Sequence, residues 1–268
     1  MNINGVDFTI GADPEIFVAE KGKTISAHGL IQGDKKNPFR VNRGAVQVDG
    51  MALEFNIDPA SSKEEFKENL HTVQEQLAAM IGDRQFVNAV STHFDEKYLK
   101  TVPLEALDLG CEPDFNAYTM DMNDRPDSSG NMRTVGGHVH IGGFMSENEL
   151  ETPHMSLSAR LARYMDEEVG VYSILWDKDD NRRAMYGKAG AFRPKVYGME
   201  YRTMSNAWIF HEGLIGFVYD GVERALTKMF GQEEVHPEIE HIINTSDRNN
   251  EFFKNNPLVD ELRSLVGV

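Results

Sequence analysis

Four short segments of this chain share one signature, an acid or histidine followed two residues later by another polar side chain. They are Asp13 and Glu15 in GADPEIF, Glu54 and Asn56 in ALEFN, His138 and His140 in GGHVHIG, and Glu200 and Arg202 in GMEYRT. A strand turns successive side chains to opposite faces, so each pair shares one face of its sheet. The clearest case alternates Leu53, Phe55 and Ile57 with Glu54, Asn56 and Asp58, a period of two with one core face and one acidic face. If the four segments lie side by side, carboxylates, imidazoles and an arginine gather on one surface. Such a surface holds divalent cations through oxygen and imidazole ligands, and its arginine neutralises phosphate oxygens.

Each pair also has a plainer explanation. Glu54 fits the solvated face of a half-buried strand. His138 and His140 fit core or edge histidines satisfied by hydrogen bonds. Gly136, Gly137, Gly142 and Gly143 bracket the two histidines and weigh against that explanation. Glycine weakens a strand unless backbone or ligand must approach closely, and a nucleotide is one such ligand. Asp13-Pro14 fits a turn. Glu112 and Asp114 in GCEPDF echo Asp13 and Glu15, and the sequence leaves open which acidic pair supplies ligands. Arg133 stands at the opposite parity from the histidines. It faces away from their surface unless a bulge near Gly136-Gly137 turns it.

The order of elements predicts an α+β fold with a largely antiparallel sheet, since strictly alternating βα units are absent. A hairpin turns at Lys21-Gly22-Lys23. A helix begins near Ser61-Ser62, where Glu64 and Glu65 stand at capping-box spacing. Phe66, Leu70, Val73, Leu77 and Met80 form its apolar stripe, and it ends near Gly82. Strand-like text resumes in QFVNAVSTHF, around 111–119, across 132–142 and in KVYGMEYRTMS, with a polar loop at 121–131. Helices are expected over about 155–172 and 206–229. Residues 1–230 read as one domain, and 231–268 as a short helical extension packed on it.

A net charge of −16 excludes a general electrostatic grip on nucleic acid or anionic membrane. Against that background Arg182, Arg183, Lys188, Arg193, Lys195 and Arg202 form a basic island interrupted by one acid, Glu200. It fits a local phosphate-bearing ligand and a solvated loop about equally well. The opening MNINGVDFTI lacks the regions of a signal peptide, and Cys111 is the only cysteine. The expected location is a reducing cytoplasm. There is no GxxxxGK[ST] loop, no strand–GxGxxG–helix fingerprint and no GxSxG elbow. A bound phosphate must therefore be held by metals and arginines.

Taken in order, GADPEIF, GAVQVDGMALEFN, GCEPDFNAY, RTVGGHVHIGG and RRAMYGKAGAFRPKVYGMEYRTMSNAW resemble the phage-type carboxylate–amine ligases, COOH–NH2 ligase type 2. That family is akin to glutamine synthetase and glutamate–cysteine ligase. The resemblance spans residues 11–208. It implies a glutamine-synthetase-like catalytic domain whose curved, largely antiparallel sheet forms a trough, with helices on its outer face. The trough would hold ATP and two or three Mg2+ ions, with Mn2+ as a substitute. Asp13, Glu15, Glu54, His138 and Glu200 would be metal ligands, and Asp49 a weaker one. Glu200, Arg202 and Arg193 would act at the reacting phosphoryl group. His138, His140, Arg133, Arg182, Arg183, Lys188 and Lys195 would contact the nucleotide. The glycine-containing YGKAGAF and the 121–131 loop would exclude water.

The implied activity is ATP-dependent amide formation through an acyl phosphate, on small-molecule or peptide acids and amines. Phosphoryl transfer asks a protein for positioning and charge neutralisation more than for covalent chemistry, which suits these residue types. Three other readings use the same residues. They are phosphoryl transfer to a guanidino group, a non-catalytic phage structural protein on the same fold, and a metal hydrolase built on His138-x-His140.

Overall fold

The computed structural model describes residues 1–107, 114–124 and 130–267. Ten of its strands join in one sheet and are labelled here along the chain. They are β1 (Thr9–Glu20), β2 (Lys23–Ile25), β3 (Phe39–Val41), β4 (Gly44–Asp49), β5 (Ala52–Ile57), β6 (Gln85–Val87), β7 (Phe115–Asn116), β8 (Gly137–Gly142), β9 (Ala191–Lys195) and β10 (Gly198–Tyr201). In space the order is β7-β9-β10-β8-β1-β5-β4-β3, with β2 and β6 also paired to β1. Every ladder between them is antiparallel. The expected α+β class and large antiparallel sheet are therefore present, and the sheet does not close into a barrel.

One face of this sheet is core. Ile10, Ala12 and Ile16 of β1, Leu53 and Phe55 of β5, Val139 and Ile141 of β8, and Met199 and Tyr201 of β10 are buried. Helices α1 (Lys63–Met80), α2 (Thr152–Met165) and α3 (Glu212–Gly231) supply the opposing layer. Helix α1 packs on β4 and β5, α2 packs on β9 and β10, and α3 packs on both α1 and α2. The Phe66 ring of α1 stacks on Trp208 at 6.1 Å and meets Tyr219 of α3 at 5.8 Å. Ile239, Ile242, Phe253 and Leu262 of the C-terminal segment join the same core. Among the described residues no helix is long and apolar enough to cross a membrane.

Local signals explain where elements start and stop. The first hairpin turns on Lys21 and Gly22 at φ of 51° and 77°, the left-handed pair that a tight two-residue turn needs. The capping box of α1 is divided between two serines. Ser62 Oγ accepts from the Glu65 amide, while Glu65 Oε2 accepts from the Ser61 amide. The stripe Phe66, Leu70, Val73 and Leu77 is buried, and Met80 at its end is exposed.

Three expectations needed revision. The segment 132–142 is not one strand. Met132–Thr134 pairs instead with Ser91–His93 in a separate two-stranded sheet, and β8 starts at Gly137. The helix expected over 206–229 is a 3-10 turn at Asn206–Phe210 followed by α3. His211 separates them, its ring Nδ1 accepting from the Gly213 amide. Finally, α2 continues through a π-helical turn at Asp166–Gly170 into Val171–Trp176.

The burial of Phe66 sets a quantitative expectation. Phe66→Ala should lower unfolding free energy by about 3–5 kcal/mol, because a buried aromatic leaves a cavity its neighbours fill only partly. Leu104→Ala, at an 85% exposed position, should change it by less than about 0.5 kcal/mol. Urea denaturation of the two variants checks the contrast.

Candidate functional site

Register decides which side chains meet on the other face. Across β4, β5 and β1, Gln47 stands opposite Glu54 and Glu54 opposite Glu15. Asp13 stands opposite His138 on β8. His140 stands opposite Glu200 on β10, and Glu200 opposite Arg193 on β9. Directly opposed residues share a face, so the four sequence pairs form one continuous polar row.

The side chains in that row touch. Asp13 lies between the imidazoles, with Oδ1 3.3 Å from His138 Nδ1 and Oδ2 3.1 Å from His140 Nε2. His138 Nδ1 is 3.5 Å from Glu200 Oε1 and 3.2 Å from Arg202 Nη1. Glu200 is paired with Arg202 on one oxygen and with Lys195 Nζ at 2.9 Å on the other. Arg202 Nε reaches Asp114 at 2.5 Å, and Arg193 Nε reaches the same oxygen at 3.4 Å. Glu54 accepts from Gln47 Nε2 at 2.7 Å, and Glu15 accepts from the Gly136 amide at 2.7 Å.

Burial makes these charges strong. Burial alone would raise the Asp13 carboxyl, but the two imidazoles override it and hold it well below the usual carboxylate range. Burial would also raise Glu200, and the Arg202 guanidinium reverses the direction. His140 moves up: burial pushes it down, and the Asp13 carboxylate more than compensates. Glu54 goes well up because burial is reinforced by Asp13, Asp49 and Glu15, and Glu15 rises through burial and Asp49. Acids crowded enough to raise one another's pKa are relieved by a cation.

The residues present fit a divalent metal. Asp13, His140 and Glu200 each offer a ligand atom, and these atoms lie within 4.8 Å of one another. Asp13 Oδ1 and His140 Nε2 are buried without a well-aligned hydrogen bond, as expected of atoms with a coordination role. Two carboxylates and one imidazole suit Mg2+ or Mn2+ and leave positions for phosphate oxygens. His140 rather than His138 belongs to this tightest group.

Other residues singled out in the sequence fall in different places. Arg182 is buried but donates Nε, Nη1 and Nη2 to the carbonyls of Val135, Thr203 and Met204. Arg183 lies 3.6 Å from Asp177, and Lys188 is exposed. Asp49 pairs with Lys35 at 2.8 Å. Asp114 joins the row as well as Asp13 and Glu15, while Glu112, Cys111 and residues 125–129 lie outside the described residues.

The glycines are bare for an internal reason. A Cβ at Gly136 would lie 2.3 Å from His138 Nε2, and one at Gly137 would lie 2.4 Å from the Ser205 carbonyl. The protein's own groups fill the space that the sequence reading reserved for a nucleotide. Tyr197, unremarked in the sequence, places its hydroxyl 2.5 Å from His140 Nδ1. It sits in the β9–β10 turn, where no periodic signal marks it.

Residues 128–218 match the family model described as phage phiEco32-like COOH.NH2 ligase-type 2. That stretch contains His138, His140, Glu200 and Arg202 but not Asp13, Glu15 or Glu54. No curated protein matches the chain. Among solved structures, the chain is similar to a bifunctional glutathione synthetase from Pasteurella multocida, with 11% identity and a TM-score of 0.43. The match covers 89% of this chain and 40% of that one, so the chain spans less than half of that protein's length.

A titration tests the central contact. In Asp13→Asn only burial acts on His140 from that side, so its midpoint should fall below the wild-type value. NMR of the imidazole C–H protons against pH measures it, and an unchanged midpoint would show that Asp13 does not hold the ring.

Proposed function

We propose that this protein is an ATP-dependent carboxylate–amine ligase with a glutamine-synthetase-like site. One observation carries the reading. A row of acids and imidazoles, with His138 and Glu200 buried and Asp13 and His140 half-buried, is flanked directly by Arg202, Lys195 and Arg193 on one sheet face. Anionic ligands of a cation stand next to cationic ligands of an anion, as a metal–phosphate substrate requires. The match of residues 128–218 to a carboxylate–amine ligase model supports the same reading.

A carboxylate resists attack by an amine because its leaving group would be oxide or hydroxide. Transfer of the ATP γ-phosphoryl group to a carboxylate oxygen breaks the bond to the β-phosphate and yields an acyl phosphate and ADP. The amine nitrogen then forms the C–N bond as phosphate departs with the C–O electron pair, and the nitrogen loses a proton. Magnesium, when bound, neutralises the nucleotide's phosphate oxygens and so lowers the repulsion against an incoming carboxylate. Asp13, Glu200 and His140 would hold it, with His138, Glu15 and Glu54 completing its surroundings. Arg202 and Arg193 meet the charge that spreads over the transferring group, and Lys195 shares that role. The arginines are kept in place by Asp114, which touches both. Tyr197 fixes the His140 ring on the side away from Asp13.

The test is release of ADP and phosphate that requires an acid, an amine and Mg2+ together, screened over amino acids, peptides and amines. Glu200→Gln should abolish that turnover, below about one part in a thousand of wild type, with an unchanged circular dichroism spectrum. Wild-type turnover in the folded variant would overturn the assignment.

A further inference from the structure

The β9–β10 turn delivers two side chains to the charged row. Lys195 Nζ, at its start, reaches Glu200 at 2.9 Å, and the Tyr197 hydroxyl reaches His140 Nδ1 at 2.5 Å. Tyr197 also borders a recess that opens on Asp13, Glu54 and His140. A displaced turn would therefore disturb an imidazole and a carboxylate of the row together. Yet the turn is poorly specified by its own residues. Lys195 pairs with Gly198, so two residues make the reversal. Such hairpins favour positive φ at those two positions, because the twist of the turn then matches that of the strands. Lys21 and Gly22 of the first hairpin meet this condition, whereas neither Val196 nor Tyr197 has a positive φ. Val196 is β-branched as well, a poor residue for a tight turn.

Segment 143–154 supplies what the turn lacks. The Gly143 amide donates to the Tyr197 carbonyl at 3.1 Å, and the Ser146 amide donates to the Val196 carbonyl at 2.9 Å. His154, in the first turn of α2, takes the other two. Its Nε2 lies 2.8 Å from the Lys195 carbonyl oxygen and 3.1 Å from that of Gly198. All four carbonyls from Lys195 to Gly198 thus face a donor from one segment. A carbonyl oxygen only accepts, so Nε2 carries the hydrogen and shares it between the two ends of the turn. His154 is 6% exposed, and its ring lies 5.4 Å from that of Phe144. Helix α2 itself packs on β9 and β10, which fixes the imidazole against the strands that it ties.

We propose that His154 is a positioning residue for the charged row. By clamping both ends of the β9–β10 turn, it sets where Lys195 meets Glu200 and where Tyr197 meets His140. It touches neither member of the row that it controls: its influence passes through the backbone of the turn. The ligand that the row takes rests on the ligase reading above, but the clamp itself does not. A donor at the Nε2 position is the property that matters, because the two carbonyls ask for a hydrogen and not for a charge.

Imidazole 15N–1H spectra of the ligand-free protein test the clamp directly. In His154→Leu the His140 Nδ1 signal should move toward its position in Tyr197→Phe. The Gly143 and Ser146 amides should exchange with D2O about tenfold faster. His154→Gln, whose amide N–H comes near the place of Nε2, should return both toward wild type. If His154→Leu does not fold, His154→Asn, whose shorter amide stops short of the turn, takes its place. Calorimetry with Mg-ATP reads the consequence for the site. Affinity should fall about tenfold in His154→Leu and recover in His154→Gln. In a Lys195→Met, Tyr197→Phe background the same His154→Leu change should cost less than about twofold, because residues that act through one another are not additive. An unchanged His140 Nδ1 signal in the folded variant overturns the proposal. So does an affinity loss that is as large in the double-substituted background, or one that His154→Gln leaves in place. Spectra that move as expected in a protein whose wild type fails to bind Mg-ATP would uphold the clamp and count against the ligase reading alone.

Discussion

Asp13 is held between two imidazoles that belong to one strand, and that clamp depends on the register of β1 against β8. A slip of one residue would turn every side chain of β1 over. Ile10, Ala12 and Ile16 would leave the core, and Asp13 and Glu15 would enter it. The apolar face thus enforces the polar one. Because β8 also pairs with β10, the same register brings His140 against Glu200 and, through Glu200, reaches Arg202 and Lys195. The charged row is one connected network, and the cost of burying its members is offset by their mutual pairing.

The back of the sheet is built to hold that row still. Tyr201, between Glu200 and Arg202, points into the core and donates to Asp166 at 2.6 Å. Asp166 opens the π-helical turn after α2, and it also accepts from Tyr118 at 3.0 Å and Thr203 at 3.3 Å. Burial pushes its carboxyl up to about 7, against the opposing pull of those hydroxyls. On the other side of β8, Trp208 donates to the Gly137 carbonyl at 3.1 Å while its ring stacks on Phe66 of α1. Helices α1 and α2 thereby brace the strands that carry the site.

Much of this was legible in the sequence because a period of two is a geometric statement. Asp13, Glu15, Glu54, His138, His140, Glu200 and Arg202 were each placed on one face by parity alone, and the apolar residues between them marked the core. What parity could not supply was the order of strands, which is set by long-range pairing. The strand breaks at Val135-Gly136, beside the point where the sequence allowed a bulge, and Arg133 leaves β8 for the separate two-stranded sheet. The glycines were read correctly as sites of close approach, but the approaching groups are His138, Ser205 and Trp208. Composition made the basic island look uniform. Only packing separates Arg182, spent on backbone carbonyls, from Arg202, spent on the acidic row.

The central claim is that this row binds a divalent cation through an imidazole as well as carboxylates. Electron paramagnetic resonance of Mn2+ added with ATP tests it most directly. The expected result is a bound Mn2+ signal with nitrogen hyperfine coupling, the coupling lost in His140→Ala and the binding itself weakened in Asp13→Asn. A wild-type spectrum that stays that of free Mn-ATP, or bound Mn2+ with no nitrogen coupling, would contradict the account.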